Sequence, residues 1–182
     1  MTVFTQAARR GVVPITSAVV RQDVHPGAPQ RAKIEAGALN VRRFPFDLTD
    51  GTISVVVDVP EPVWLYSVLG KLQGVDQLGP GWDSYDGAPL TFEAALASLD
   101  FLSRYLPESA IEPSIVPSST GGLQLEWHRK AGDLEVTFSP DGSFAAFFSD
   151  AKSGTEWEMA AGEISASELE AAVTAVSASY TE

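Results

Sequence analysis

The sequence predicts an α+β fold: two helices, then a four-stranded antiparallel meander and a C-terminal helix, all preceded by an extended basic N-terminal arm. Two observations predict this order. Apolar residues recur at helical spacing over residues 61–75 and 92–106, and the pattern switches to a period of two residues in the strand-like segments between residues 121 and 160. Because helices and hairpin-linked strands come in separate runs, the helices are expected to cover one face of the sheet.

The first predicted helix is EPVWLYSVLGKLQGV (61–75), in which Pro62 suits the first turn because its missing N–H costs nothing there. The second is FEAALASLDFLSRYL (92–106), with Thr91 as its N-cap and Pro107 as its stop. Each helix carries an apolar stripe that is expected to face the core: Trp64, Leu65, Val68, Leu69 and Leu72 in the first, and Ala95, Leu96, Leu99, Leu102 and Leu106 in the second.

The four predicted strands are GGLQLEWH (121–128), LEVTF (134–138), SFAAFFS (143–149) and TEWEMA (155–160). Apolar and polar residues alternate along the first, second and fourth of these strands, which gives the sheet one apolar and one polar face. The second and third strands are joined by SPDG, a sequence typical of a β-turn. Ser167 and Glu170 match a capping box, and this predicts the start of the last helix, ELEAAVTAVSASY (168–180).

Charge is distributed unevenly along the chain. Residues 1–43 hold seven basic residues against two acidic ones, a balance of +5, whereas the remainder holds five against 22, a balance of −17. Prolines recur in the first 60 residues without a helical period, so residues 1–50 are predicted to be an extended or partly disordered basic arm, and residues 51–182 an acidic α+β domain. HPGAPQ (25–30) is predicted to be a loop, and TISVVVDV (52–59) an edge strand.

The composition excludes several classes of protein. There is no run of 18 apolar residues, so no membrane span is predicted, and the N-terminus lacks the apolar segment of a secretory signal, which favours the cytoplasm. Without cysteine the chain has no disulfide, thiolate metal site or cysteine nucleophile. The glycine patterns of phosphate and dinucleotide sites and the serine-hydrolase elbow are also missing, and no catalytic residue, metal or other cofactor is predicted.

The stretch GPGWDSYDGAP (79–89) joins the first two predicted helices. Asp83 and Asp86 are expected to accept backbone N–H groups and so to fix the turn, while Trp82 and Tyr85 are expected to pack into the core. A recognition surface is the alternative interpretation, because tryptophan and tyrosine are common anchors of protein interfaces.

The polar face of the predicted meander carries five titratable side chains: Glu126, His128, Glu135, Glu156 and Glu158. Alternating glutamates on a strand are typical of a solvated face. The same row is also suited to docking a basic protein, since charge complementarity speeds encounter and rejects wrong partners. A third interpretation is a divalent-metal site with acid–base chemistry, although the spacing matches no recognised ligand motif.

Two arginine pairs mark the predicted arm, Arg9 with Arg10 and Arg42 with Arg43. Aromatic residues lie near them, as in NVRRFPF (40–46), so the arm is suited either to a phosphate backbone or to docking on another chain. No DNA- or RNA-reading motif accompanies them. Nucleic acid is therefore expected as a partner only through this arm.

Residues 78–148 resemble a group of small bacterial and phage-associated proteins with a W-D-x-Y-x-A-x-P loop, a helix, P-x-x-x-P and then G-G-x-x-x-E-W. The matching residues are Trp82, Asp83, Tyr85, Pro89, Pro113, Pro117, Gly121, Gly122, Glu126 and Trp127. The chain departs from the pattern at Asp86-Gly87-Ala88, where glycine and alanine come one place later. The resemblance implies one continuous domain, leaves out the arm, and implies no established activity.

The sequence therefore favours a non-enzymatic interaction module of the antitoxin or immunity type, whose acidic surface binds a basic partner such as a protein that acts on nucleic acid. The predicted partner-binding residues are Glu126, Glu135, Glu156 and Glu158, with Trp82 and Tyr85 as anchors. Two alternatives stay open. One is a phage or mobile-element assembly component whose arm threads onto neighbouring subunits in an oligomer, and the other is a metal-dependent hydrolase.

Overall fold

The first sheet of the structure has side chains that are alternately buried and more exposed along its strands. The structure is a computed structural model, and it describes residues 9–15, 41–160 and 162–178. Three strands, β1 (Arg9–Ile15), β2 (Val41–Leu48) and β3 (Gly51–Asp58), pair in the order β1-β3-β2. Strand β1 runs parallel to β3 and β2 runs antiparallel to it. Every second residue of β3 is buried, as expected for a sheet with one packed face.

This sheet corrects two expectations. The run 52–59 is the central strand β3 rather than an edge strand, because it is paired on both sides. The boundary expected at residue 50 falls in the turn between β2 and β3, so two segments of the expected arm, residues 9–15 and 41–48, are strands of this sheet. The predicted loop at residues 25–30 lies outside the described residues.

Two helices follow, α1 (Leu65–Asp76) and α2 (Phe92–Tyr105). The predicted N-cap of α2 is confirmed, because the Thr91 hydroxyl accepts the backbone N–H of Ala94 at 3.3 Å. Helix α2 packs against β1. The two elements come close at Gly11, where an added Cβ would lie 2.6 Å from a methyl carbon of Leu96. Only glycine allows this contact without movement of the leucine.

The second sheet has five antiparallel strands, one more than predicted. The order is β4 (Ser114–Pro117), β5 (Leu123–Arg129), β6 (Gly132–Phe138), β7 (Phe144–Asp150) and β8 (Glu156–Ala160), and each strand pairs with the next. Strand β4 was missed because four residues are too few to show alternation. Its proline is tolerated at the edge of a sheet, where a missing N–H breaks no ladder.

The last helix, α3 (Ala166–Ser177), begins earlier than predicted. Its capping box is Ser165 with Glu168, not Ser167 with Glu170: the Ser165 hydroxyl accepts the Glu168 N–H at 3.2 Å, and Glu168 Oε2 accepts the Ser165 N–H at 2.9 Å. Both frames fit the S-x-x-E pattern. Only the observed frame places buried Ile164 and Leu169 at the positions of a hydrophobic staple.

One hydrophobic core joins these elements. A single cluster of buried side chains draws on both sheets and all three helices, from Val13 in β1 to Val176 in α3. Two buried indoles are satisfied within it, since Trp64 Nε1 donates to Pro107 O and Trp127 Nε1 to Ile111 O, both at 3.0 Å. Over the described residues the architecture is thus α+β, with three helices and eight strands in two sheets, and none of these helices has the length and apolar character needed to cross a membrane.

Candidate functional site

The five-stranded sheet has one buried face and one solvent-facing side, here called the acidic face. The buried side chains of β5 and β6, such as Leu125, Trp127 and Val136, belong to the core, and α2 and α3 pack on them. The alternate positions point to solvent. Among these positions no lysine or arginine occurs, and the titratable side chains are Glu126, His128, Asp133, Glu135, Glu156 and Glu158.

Strand register aligns three of the predicted glutamates in one row across the acidic face. Glu126 of β5 lies directly opposite Glu135 of β6, Glu135 lies opposite Phe147 of β7, and Phe147 lies opposite Glu158 of β8. Glu156 lies in the neighbouring row, opposite Ser149 of β7. The structure therefore brings the four predicted glutamates onto one surface.

The pairing of Glu126 with Glu135 is unfavourable for folding, because like charges directly opposite each other on a sheet repel. Neighbouring groups offset part of this repulsion. Gln124 Nε2 donates to Glu135 Oε2 at 2.7 Å, and His128 Nε2 lies 3.4 Å from Glu126 Oε2. The remaining repulsion between Glu126 and Glu135 lowers the stability of the folded sheet.

His128 lies between two carboxylates. Its Nδ1 is 3.0 Å from Asp133 Oδ1 on β6, in addition to its contact with Glu126. The hydrogen bond to Asp133 is the largest cause that raises the pKa of His128 above its usual value, with Glu126 adding to it, although partial burial acts in the opposite direction. A protonated His128 lowers the net negative charge of the acidic face.

Phe147 is a residue of this face that the sequence-based set of partner-binding residues lacks. It is partly exposed and does not belong to the core cluster, whereas its neighbour Phe148 is buried. The sequence carries a signal for this position, because successive side chains of a strand point to opposite faces, so one of two adjacent phenylalanines lies on the polar face.

The predicted anchors Trp82 and Tyr85 lie in the loop between α1 and α2, and neither packs in the core cluster. Tyr85 is 84% exposed, which contradicts its expected packing into the core. Trp82 is half-buried and its Nε1 donates to Ala88 O within the same loop at 3.3 Å. The recognition interpretation of this loop stays a prediction.

The loop itself is fixed by hydrogen bonds. Asp83 Oδ1 accepts the N–H groups of Tyr85 and Gly87 at 2.9 and 3.0 Å, as predicted for this aspartate. Exposed Asp86 accepts none from the described residues. At Gly87 an added Cβ would lie 2.8 Å from the Asp83 carboxylate, so the turn requires glycine there. Ser84 has a φ of 68°, which is uncommon for a residue with a side chain.

This loop is attached to one end of the five-stranded sheet. Ala88 N donates to Ser119 O at 2.8 Å, and Thr91 N donates to Gly121 O at 2.9 Å. The attachment lies beside the turn between β4 and β5. Among the described residues no hydrogen bond or ion pair links Trp82 or Tyr85 to the four glutamates, which lie on β5, β6 and β8.

The four predicted arginines of the arm differ in their surroundings. Arg9 pairs with Glu93 of α2, and Arg42 Nη1 lies 2.6 Å from Glu61 Oε1 and 3.4 Å from the Tyr66 hydroxyl. Arg10 and Arg43 are exposed and contact no carboxylate of the described residues. Half of the predicted set therefore joins strands of the small sheet to the helical layer.

The described residues contain no group of three histidine, aspartate or glutamate side chains arranged to hold a metal ion. A cleft of about 410 Å³ lies between α2 and α3, lined by residues that include Arg104 and Glu170. Its arginine is already paired, since Arg104 donates to both carboxylate oxygens of Asp100, at 2.8 and 3.1 Å. The acidic face is therefore the better candidate site.

No family model, curated protein or solved structure matches this chain. The resemblance to the bacterial and phage-associated group accordingly stays a prediction, and the function has to be argued from the acidic face.

Proposed function

We propose that the protein is a non-enzymatic interaction module of the antitoxin or immunity type, which binds a basic protein partner through the acidic face. The observation that carries this proposal is a solvent-facing sheet surface with five carboxylates and no lysine or arginine. Such a surface attracts a positively charged partner over long range and disfavours neutral or acidic ones.

The opposed pair Glu126 and Glu135 supports this proposal further. Two carboxylates directly across a strand pair destabilise the sheet, and a positively charged partner would convert their repulsion into attraction. Side-chain arrangements that lower folding stability are typical of functional sites, and binding of a basic partner would give this carboxylate pair such a function.

The two alternatives receive less support from the described residues. The hydrolase interpretation requires converging ligands, which the acidic face lacks, and His128 is held by two carboxylates there. The assembly interpretation relies on a free arm, yet residues 9–15 and 41–48 are strands of the chain's own sheet.

The proposal is tested by titrating the full chain with hexa-lysine at low ionic strength and measuring affinity by calorimetry. We expect the double variant Glu135→Gln/Glu158→Gln to lose between about twofold and thirtyfold in affinity, since each exposed ion pair contributes about 0.2–1 kcal/mol. The affinity of the unchanged protein should fall steeply with added salt.

The matched control is Glu108→Gln/Glu170→Gln, which removes the same formal charge from exposed positions outside the acidic face. We expect this control to bind hexa-lysine nearly as well as the unchanged protein does. Equal losses in the two double variants would show that net charge alone attracts the peptide, and the proposed role of the face would then be wrong.

A further inference from the structure

Phe147 lies at the centre of the acidic face. Glu135 is its direct cross-strand neighbour on β6, and Glu158 is its direct neighbour on β8. Among the described residues no aromatic ring contacts it, in contrast to Phe144 and Phe148. An aromatic side chain that neither joins the core nor contacts another ring is free to contact a partner.

The sheet geometry sets the spacing around this ring. Direct cross-strand neighbours have Cβ atoms about 5 Å apart, so the Cβ atoms of Glu135 and Glu158 flank that of Phe147 at this spacing. The next residues of β7 on the same face are Ala145 and Ser149, whose short side chains place no other large group beside the partly exposed ring along the strand.

The two carboxylates differ in how far they are already engaged. One oxygen of Glu135 accepts a hydrogen bond from Gln124, which orients this side chain and leaves its second oxygen available. Exposed Glu158 has no hydrogen bond or ion pair with the described residues. Both groups therefore retain acceptor capacity next to the ring.

We propose that Phe147, Glu135 and Glu158 form a docking site for an arginine side chain of the basic partner. The guanidinium stacks on the phenyl ring, and its N–H groups donate to the flanking carboxylates. This proposal rests on the proposed function and specifies its partner chemistry: an arginine-bearing surface is preferred over a lysine-bearing one of equal charge.

The preference follows from the chemistry of the two cations. Guanidinium is planar and weakly hydrated, so it stacks on an aromatic face. Its N–H groups lie in the guanidinium plane and donate outward to the carboxylates beside the phenyl ring. Ammonium is compact and strongly hydrated, and it interacts with the carboxylates mainly as a point charge. The ring therefore adds affinity for arginine beyond the electrostatic attraction that both cations share.

The test compares hexa-arginine with hexa-lysine, each titrated into the full chain at low ionic strength. We expect the unchanged protein to bind hexa-arginine about two- to fivefold more tightly, the range of an exposed cation–π contact. Phe147→Leu keeps an apolar side chain but removes the ring. It should narrow the difference between the two affinities to what the guanidinium–carboxylate hydrogen bonds contribute, and weaken hexa-arginine binding more than hexa-lysine binding.

Tyr66→Leu is the matched control, because it removes an exposed aromatic ring of helix α1 that does not belong to the predicted partner-binding residues. It should retain the arginine preference, and thermal unfolding should show that both leucine variants are folded. A preference that is undiminished in Phe147→Leu, or that falls equally in Tyr66→Leu, overturns the arginine site. Peptide binding that does not depend on Glu135 and Glu158 overturns the proposed function itself, so the two failures are distinguishable.

Discussion

His128 makes the acidic face responsive to pH. Its ring contacts Asp133 and Glu126, and these contacts raise its pKa in the folded protein. A raised pKa means that the folded state binds a proton more tightly than the unfolded state does. The resulting stability is fully present below the unfolded value of about 6.5 and is lost as the pH rises through the folded pKa.

We therefore expect His128→Gln to lower the free energy of unfolding in mildly acidic solution and to leave it nearly unchanged at about pH 8. The loss should stay below about 1 kcal/mol, because the side chain is 56% exposed and solvent screens its ion pairs. Urea unfolding at the two pH values measures the difference. A loss of equal size at both values would contradict the assignment of the effect to the protonated ring.

At the residue scale, the sequence predicts the burial of a side chain better in helices and strands, where apolar residues recur periodically, than in loops. Alternation along the strands predicted the exposure of Glu158, and it placed Glu126, which is half-buried, on the same face of the sheet. In the 79–89 loop no period applies, and Tyr85 was expected in the core because buried aromatics are common, whereas it is exposed. The role of Asp83 was predictable, since an aspartate in a turn accepts nearby N–H groups whatever the tertiary fold.

At the scale of elements, the start of α3 contains two serines, and replacing each in turn tests which of them caps the helix. Ser165 is the N-cap, and its hydroxyl accepts the Glu168 N–H, whereas Ser167 lies in the first turn and is exposed. Ser165→Ala should lower the free energy of unfolding by about 1 kcal/mol, as is usual for the loss of an N-cap.

Ser167→Ala is the matched control, and we expect a change within about 0.5 kcal/mol because alanine is well tolerated inside a helix. Urea unfolding of both variants measures the two effects. The reverse order, with Ser167→Ala the more damaging substitution, would support the capping frame expected from the sequence instead of the one in the structure.

Elements that depend on local signals were predicted, and those that depend on distant partners were not. The N-cap of α2 and the strands β5 to β8 follow from a few adjacent residues. The central position of β3 depends on β1, whose Arg9 is paired with Gly51 across a long stretch of chain. No local pattern carries that information, and the Arg- and Pro-containing β2 is a weak strand signal by itself.

At the scale of the whole molecule, the first strand belongs to the common core. Val13 is fully buried, whereas its neighbour Val12 on the other face of the sheet is 66% exposed. Val13→Ala should cost about 1.5–3 kcal/mol, which combines the lost transfer free energy of two methyl-sized groups with a cavity. Val12→Ala should stay within about 0.5 kcal/mol of the unchanged protein.

Tryptophan fluorescence during urea unfolding is the suitable measurement, because Trp127 and Trp157 lie in the five-stranded sheet and Trp64 lies beside α1. A single transition that shifts in Val13→Ala would show that β1 and the distant sheet unfold together. If Val13→Ala unfolds at the same urea concentration as the unchanged protein, residues 9–15 do not contribute to the stability of the rest of the domain. That result would support the prediction that residues 1–50 form an arm outside the domain.

The position of β1 has a consequence for the order in which the protein is made. A ribosome releases β1 well before β3, its parallel partner, and before α2, whose Leu96 packs over Gly11. Among the described strands β1 is translated first, and it stays unpaired until β3 has been made, when their pairing closes the chain between two strands that are distant in the sequence. The contact of Gly11 with Leu96 requires a still longer stretch of chain, because α2 is translated after β3.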